Sequence, residues 1–200
     1  MTVQWTQHRF AGGVLALDTA NTVVLRGDAR GFDRFDEAAE IGRFAEAASI
    51  YRAEELGERR LCVKDPAAIR PLVIEMREAI DRLFRSLAAK GRPDPGVLPL
   101  FLRACASGLD DHDDVGGDDA FGRAGQAVAF EAALAVSALS LLSDRQAGRL
   151  RICPNCRWLF VDRSRNGSRL WCDMAVCGNR QKAKRHYRRH RGFGEEHDDA

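Results

Sequence analysis

Four of the six cysteines fall at a spacing that implies metal chemistry: Cys153-Pro154-Asn155-Cys156, fifteen residues, Cys172, four residues, Cys177. Two thiols two residues apart, followed at finger distance by a second pair, form a ligand set for one tetrahedral Zn²⁺, which takes four sulfurs at about 2.3 Å. A shell of four sulfurs is saturated, so this zinc is expected to be structural, with no position open for a reacting water. Nothing at the amino terminus reads as a secretory signal. The chain is therefore expected in a reducing cytoplasm, where thiols stay free for metal and a disulfide framework is disfavoured. Cys62 and Cys105 are expected to be small buried side chains, and no His or carboxylate arrangement nominates either as a nucleophile.

Beyond Cys177 the chain turns strongly basic. Residues 149–191 hold 13 Lys and Arg against two acids, Asp162 and Asp173. Four thiolates and one Zn²⁺ lower that balance of +11 to about +9. Residues 1–148 are acidic, with 18 Lys and Arg against 23 Asp and Glu, and the end of the chain adds four acids. Charge divided this way makes the finger the part that faces a polyanion. A helix from Asn179 to His190 presents Arg180, Lys184, Tyr187, Arg188 and Arg191 on one broad face, with Lys182, Arg185 and Arg189 flanking. Such a face can displace phosphate counterions. Asn179, Arg180 and Gln181, near the helix start, are of types that read base edges, and capping or locking the finger is an equal alternative for Asn179 and Arg180. His186 and His190 read as surface polar residues.

The elements that must position this site follow from pattern. Asn166-Gly167 predicts a hairpin pairing Trp158–Asp162 with Arg169–Trp171, and Trp158, Phe160 and Trp171 supply the finger's apolar mass. In the body, a helix is expected over 15–24, which would place Asp18 and Asn21 on one face, either hydrogen-bonded internally or lining a ligand pocket. Asp36–Ile50 has helical apolar spacing, and Tyr51–Val63 reads as a polar connection. Asp65-Pro66 opens a helix of about 25 residues that Gly91 closes. Asp94-Pro95 repeats the start signal for Val97–Ala106. The acidic loop 110–119 lacks a Ca²⁺-binding pattern and reads as solvated. Ala124–Ser143, apolar nearly all round, is expected to be the buried central helix. The short connection Ser143–Leu150 predicts that body and finger pack together. No apolar run approaches the length of a membrane span.

The segment from Cys153 to Arg191 resembles the CGNR zinc finger, named for Cys177-Gly178-Asn179-Arg180. The likeness runs through Cys153–Asp162, Ser164–Arg169 and Trp171–Met174, and departs at Leu170, where that family often carries Arg. Gly12–Thr22 resembles the opening of the ABATE domain. The resemblance implies a bacterial transcription regulator with an amino-terminal ABATE-type domain and a carboxy-terminal finger expected to bind DNA. The pattern of elements adds a mainly α-helical body at 1–148 with room for one short β-hairpin, a small treble-clef-like zinc finger (knuckle, hairpin, basic helix) at 149–192, and an acidic tail at 193–200 expected to be disordered. Because this chain looks abbreviated near the acidic loop, where relatives would carry a pair of strands, its β content is an open expectation. The leading function is DNA binding under a sensing or dimerising body, with a homodimer and a small-molecule effector as further expected partners. RNA binding, or a small-molecule-binding protein or enzyme with a purely structural finger, is the alternative. No nucleophile and base pair, phosphate loop or open metal position supports an enzyme.

Overall fold

The computed structural model describes residues 2–110, 121, 125–143, 148–183 and 187. A 3₁₀ turn at Gln7–Phe10 leads to α1 (Leu15–Ala20), β1 (Val23–Val24), β2 (Phe32–Asp33), α2 (Ala39–Tyr51), β3 (Leu61–Cys62), α3 (Pro66–Lys90), α4 (Leu98–Leu109), β4 (Val128–Ala129), α5 (Phe130–Ser140), β5 (Leu150–Ile152) and β6 (Leu159–Val161). A π-helical turn, Met174–Gly178, then continues as helix over 179–183. The result is a mainly helical body carrying a small cysteine-rich finger. Among the described residues no helix is long and apolar enough to cross a membrane.

Helix α3 forms where its capping signals place it. The Asp65 carboxylate accepts from the N–H groups of Ala67 and Ala68, Pro66 takes the first helical position, and Gly91 closes the helix at φ 70°. That conformation favours glycine because a Cβ would crowd the backbone. Helix α4 departs from the repeated signal. Asp94 binds the N–H of Gly96 instead, Val97 occupies the N-cap without a side-chain bond, and the helix runs on to Leu109. The acidic loop beyond it lies outside the described residues, apart from Asp110.

Four expectations for the body need correction. The helix expected over 15–24 stops at Ala20: Thr22 turns its hydroxyl back onto Thr19 O, and β-branched Val23 and Val24 pair with Phe32 and Asp33 in an antiparallel ladder. The helix expected from Ala124 begins at Phe130, because Val128-Ala129 stays extended in parallel register with Leu61-Cys62. Among the described residues the body's β content is thus two small ladders, one of which draws a strand from the connection expected to be merely polar. On β3 the alternation buries Leu61 and turns Cys62 outward, so Cys62 is exposed while Cys105 is buried. Burial pushes the Cys105 thiol up to about 12, which leaves it inert at neutral pH.

Helix α5 is deeply buried, as its composition predicts, but α1 lies deeper still, with all six residues inside. Its N-cap, Val14, has no capping side chain. The first N–H groups are satisfied from elsewhere: Glu55 accepts from Leu15 N at 2.8 Å and Ser137 Oγ from Ala16 N at 3.0 Å, while the Ser137 hydroxyl donates to Glu55. A carboxylate here also suits the positive end of the helix. Around α1 the Trp5, Phe10, Phe35, Phe44 and Phe130 rings pack edge-on, tilted or stacked at 5.0 to 6.3 Å between centroids. Each buried Phe contributes roughly 1.5–3 kcal/mol.

The expected hairpin in the finger is also corrected. Strand β6 pairs with β5, in register Leu150–Val161, Arg151–Phe160 and Ile152–Leu159, and not with 169–171. The chain around Asn166-Gly167 instead forms a loop closed by Asp162. Its buried carboxylate accepts from Ser164 N, Ser164 Oγ and Arg169 N at 2.6 to 2.9 Å. Although burial opposes it, these bonds hold the Asp162 carboxyl below the usual range. Asn166 keeps a negative φ and Gly167 alone adopts the left-handed region, so the turn is not the type the Asn-Gly pair favours.

Strand β6 joins finger to body. Alternate side chains point to opposite faces of a strand: Leu159 and Val161 enter the body's core, whereas Phe160 packs among the finger's cysteines. On the edge away from β5, Asn21 acts as a piece of strand: its Nδ2 donates to Leu159 O at 2.8 Å and its Oδ1 accepts from Leu159 N at 2.9 Å. Gly12 O accepts from Val161 N at 2.9 Å. A side chain at Gly12 is excluded, since a Cβ there would lie 2.8 Å from Asp18 Oδ1 and 2.9 Å from Asp18 N.

Replacing Asn21 by Ala leaves a buried donor and acceptor on Leu159 unpaired, at about 1–3 kcal/mol for each unsatisfied group. Chemical denaturation should show Asn21→Ala less stable by about 2–4 kcal/mol, with Asn21→Asp giving no rescue because it presents an oxygen to Leu159 O. A loss under about 0.5 kcal/mol, the range of an ordinary surface change, would remove Asn21 as the connector.

Candidate metal centre

The four finger cysteines converge from three local structures. Cys153 and Cys156 sit on a knuckle at the tip of the β5–β6 hairpin, closed by Cys153 N to Trp158 O and Arg157 N to Cys153 O, both 2.9 Å. Arg157 takes φ 65° to complete that turn. Cys172 follows the Asp162 loop, and Cys177 lies in the π-helical turn. Their sulfurs all lie within 4.8 Å of one another. Cys156 to Cys172 is 3.4 Å and Cys172 to Cys177 is 3.7 Å. Sulfurs about 2.3 Å from a central ion at tetrahedral angles stand about 3.8 Å apart, whereas a disulfide would need about 2.05 Å. The donor set therefore fits Zn²⁺, and Cys153, Cys156, Cys172 and Cys177 hold one structural zinc.

Hydrogen bonds from Cys156 and Cys172 favour a thiolate at Cys153, and the same sulfur contacts push the Cys156 and Cys172 thiols upward. Four thiolates this close need a metal's charge, and binding it releases protons.

Sequence reasoning did not foresee the groups that support these ligands. Asn155 Nδ2 donates to Cys177 Sγ at 3.3 Å, and Gln181 Nε2 donates to Asn155 Oδ1 at 2.8 Å. Gln181, expected near base edges, is thus part of a relay to the metal. Arg169 grips the backbone carbonyls of Trp171 and Cys172 and lies over the Phe160 ring. Asp173 caps the π-helical turn through Val176 N and meets His8 Nδ1 at 2.8 Å. His8 in turn stacks on Trp158, so the amino-terminal segment braces the finger. Nothing in the spacing of His8 and Asp173, 165 positions apart, signals the contact.

The remaining candidates divide. Asn179 Nδ2 donates to Ala175 O within its own helix. Arg180 and Lys182 are exposed and, among the described residues, have no ion-pair partner. Tyr187 is exposed as well. Lys184, Arg185, His186, Arg188, Arg189, His190 and Arg191 lie outside the described residues, as does the tail 193–200. Asp18 and Asn21 are interior, 1% and 2% exposed. Asn21 holds β6, and Asp18 accepts from Gly12 N at 2.8 Å and Arg52 Nε at 2.5 Å, while Arg52 also donates to Phe10 O. The internal hydrogen-bonding alternative is the one these contacts realise.

Burial raises the Asp18 carboxyl to about 6 despite Arg52, and burial also raises Glu55.

A family model for the ABATE domain, described as a putative stress-induced transcription regulator, matches residues 13–145. The CGNR zinc finger model matches residues 149–190. No curated protein matches the chain, and neither does any solved structure.

Two measurements bear on this region. Elemental analysis should find one zinc per chain. Because β6 is shared, chelation should lower the melting temperature of the whole protein as well as loosening the finger around Trp158 and Trp171; an unchanged melting curve in zinc-free protein would refute that coupling. The second concerns pH. An acid whose folded pKa is about 6 against 3.8 unfolded binds more protons when folded, so its stabilisation is full below about pH 4 and is lost as pH rises through about 6. Glu55 acts in the same sense. Asp33 and Glu78, whose arginine partners outweigh burial and hold them low, act oppositely and at lower pH. Stability of Asp18→Asn, followed by denaturant titration, should depend less on pH between 4 and 6 than that of the parent; identical slopes would place the Asp18 titration elsewhere.

Proposed function

The chain belongs to the ABATE family and ends in a CGNR zinc finger, and on that premise we propose that it is a DNA-binding regulator whose zinc-held basic helix makes the contacts. The observation that most supports this reading is the anchoring of that helix. Cys177 is buried among the four sulfurs, Asp173 caps the preceding turn, and Gln181 is tied to Asn155, so the first helical residues are held in place while Lys182 faces outward. A cationic face on a fixed helix meets phosphates at low entropic cost. Asn179 and Gln181, with amides engaged inside the finger, act in this reading as positioning residues. The basic residues from Lys184 to Arg191 extend the charge in sequence. The body then serves to sense or dimerise, and a zinc with four sulfurs supports a structural rather than catalytic metal.

Fluorescence polarisation of a labelled duplex across a salt series tests the reading. Log affinity should fall linearly with log salt, and replacing Lys182, Lys184, Arg185 and Arg188 together by Gln should flatten the slope by about one for each phosphate contact removed. Absence of duplex binding at about 50 mM salt, or tighter binding to structured RNA than to any duplex, would overturn it.

A further inference from the structure

Between the body and the metal-bearing face of the finger lies a cleft of about 540 Å³. Its volume falls within the roughly 300–1,000 Å³ of small-molecule sites, which favour the seams between structural units. Arg9 and Arg34 line it from the body and Arg180 from the finger. Among the described residues no carboxylate lines it. The other cations there are already compensated: Arg30 is paired with Asp28 and His8 meets Asp173. Among the described residues Arg9, Arg34 and Arg180 have no ion-pair partner. Glu40, whose charge reaches Arg9, is tied to Arg43 and to the indole N–H of Trp5.

Arg34 is the least comfortable of the three. Its guanidinium lies over the Trp158 ring at 5.3 Å and, among the described residues, donates only to Asn21 O, at 3.3 Å. Burial first, and the like charge of Arg9 second, push it down to about 10, so it remains protonated at neutral pH but poorly compensated. The sulfurs of the zinc centre offer partial relief, for a four-thiolate zinc carries about −2. Three arginines still exceed that charge, and only Cys156 and Cys177 of the four ligands reach the cleft wall. Arg9 and Arg34 are partly buried and Arg180 is exposed; partial burial of a cation without a partner is costly, and guanidinium groups bind phosphate oxygens through paired N–H donors.

We propose that this cleft binds a phosphorylated small molecule, held by Arg9 and Arg34 of the body and Arg180 of the finger. The concave shape favours a free ligand over the backbone of a duplex. Since the ligand's charge is shared between body and finger, its occupancy acts on the seam through which the body presents the basic helix.

Isothermal titration of the zinc-loaded full chain with pyrophosphate, at constant ionic strength, tests the proposal. Binding should saturate at one site per chain and weaken at least tenfold in Arg34→Gln and in Arg180→Gln. Arg180 is exposed and without a described partner, so its variant keeps the test valid if Arg34→Gln fails to fold. Absence of binding, or affinity unaltered in Arg180→Gln, would overturn the site and would mean that the thiolate charge suffices. A duplex titrated into the pyrophosphate complex should leave pyrophosphate bound; displacement in proportion to duplex would assign the cleft to nucleic-acid phosphates and overturn the small-molecule source. Because pyrophosphate binding is read without DNA, its failure is distinct from failure of duplex binding.

Discussion

The rest of the structure depends on the three residues of β6 being bonded along both edges. One edge pairs with β5, and the other is completed by a side-chain amide and a glycine carbonyl from the body. Because successive side chains point opposite ways, the same strand fills two cores at once. Leu159 and Val161 complete the helical body, and Phe160 completes the metal centre. A forty-residue module has too little apolar surface to stand alone. Here the metal and the body together supply what it lacks, and the finger is built into the protein's interior rather than attached to it.

That shared strand explains the local oddities nearby. Gly12 has no side chain because α1 and β6 approach each other through it. Helix α1 ends at Ala20, and its C-cap Asn21 turns its amide to Leu159. Its uncapped start is tolerated because Glu55 and Ser137 come from distant parts of the chain to meet its N–H groups. Asp18 and Arg52 form a buried pair beside Phe10 O, in a place where burial outweighs attraction for the carboxylate. These polar groups each have a bonding task, and those bonds orient α1 and the strand it holds.

The metal centre is likewise tied outward. Asn155 and Gln181 carry the sulfur of Cys177 into the following helix, and His8 and Asp173 carry the turn before it back to the amino-terminal segment. Hydrogen bonds therefore tie the seam to the helical residues at 179–183. The charge division runs along the same chain: residues 149–191 are basic and residues 1–148 acidic, so orientation would decide which charge a polyanion meets.

The sequence by itself determined whatever depends on spacing and on local backbone preference. Cysteine intervals specified the zinc ligands, Asp65-Pro66 and Gly91 specified the ends of α3, and apolar periodicity placed most helices, because those signals act within a few residues. The tertiary structure decided the rest. Asn166-Gly167 favours a hairpin, yet the strand it would have paired was already occupied by β5, and Asp162 closed the loop another way. Asp18 and Asn21 could have faced a ligand or each other's neighbours; only the arrival of Arg52 and Leu159, far along the chain, settled it. Contacts such as His8 with Asp173, or the gathering of Arg9, Arg34 and Arg180 on one cleft, carry no local signature, since a hydrogen bond or a shared field is set by position in space and not by distance along the chain.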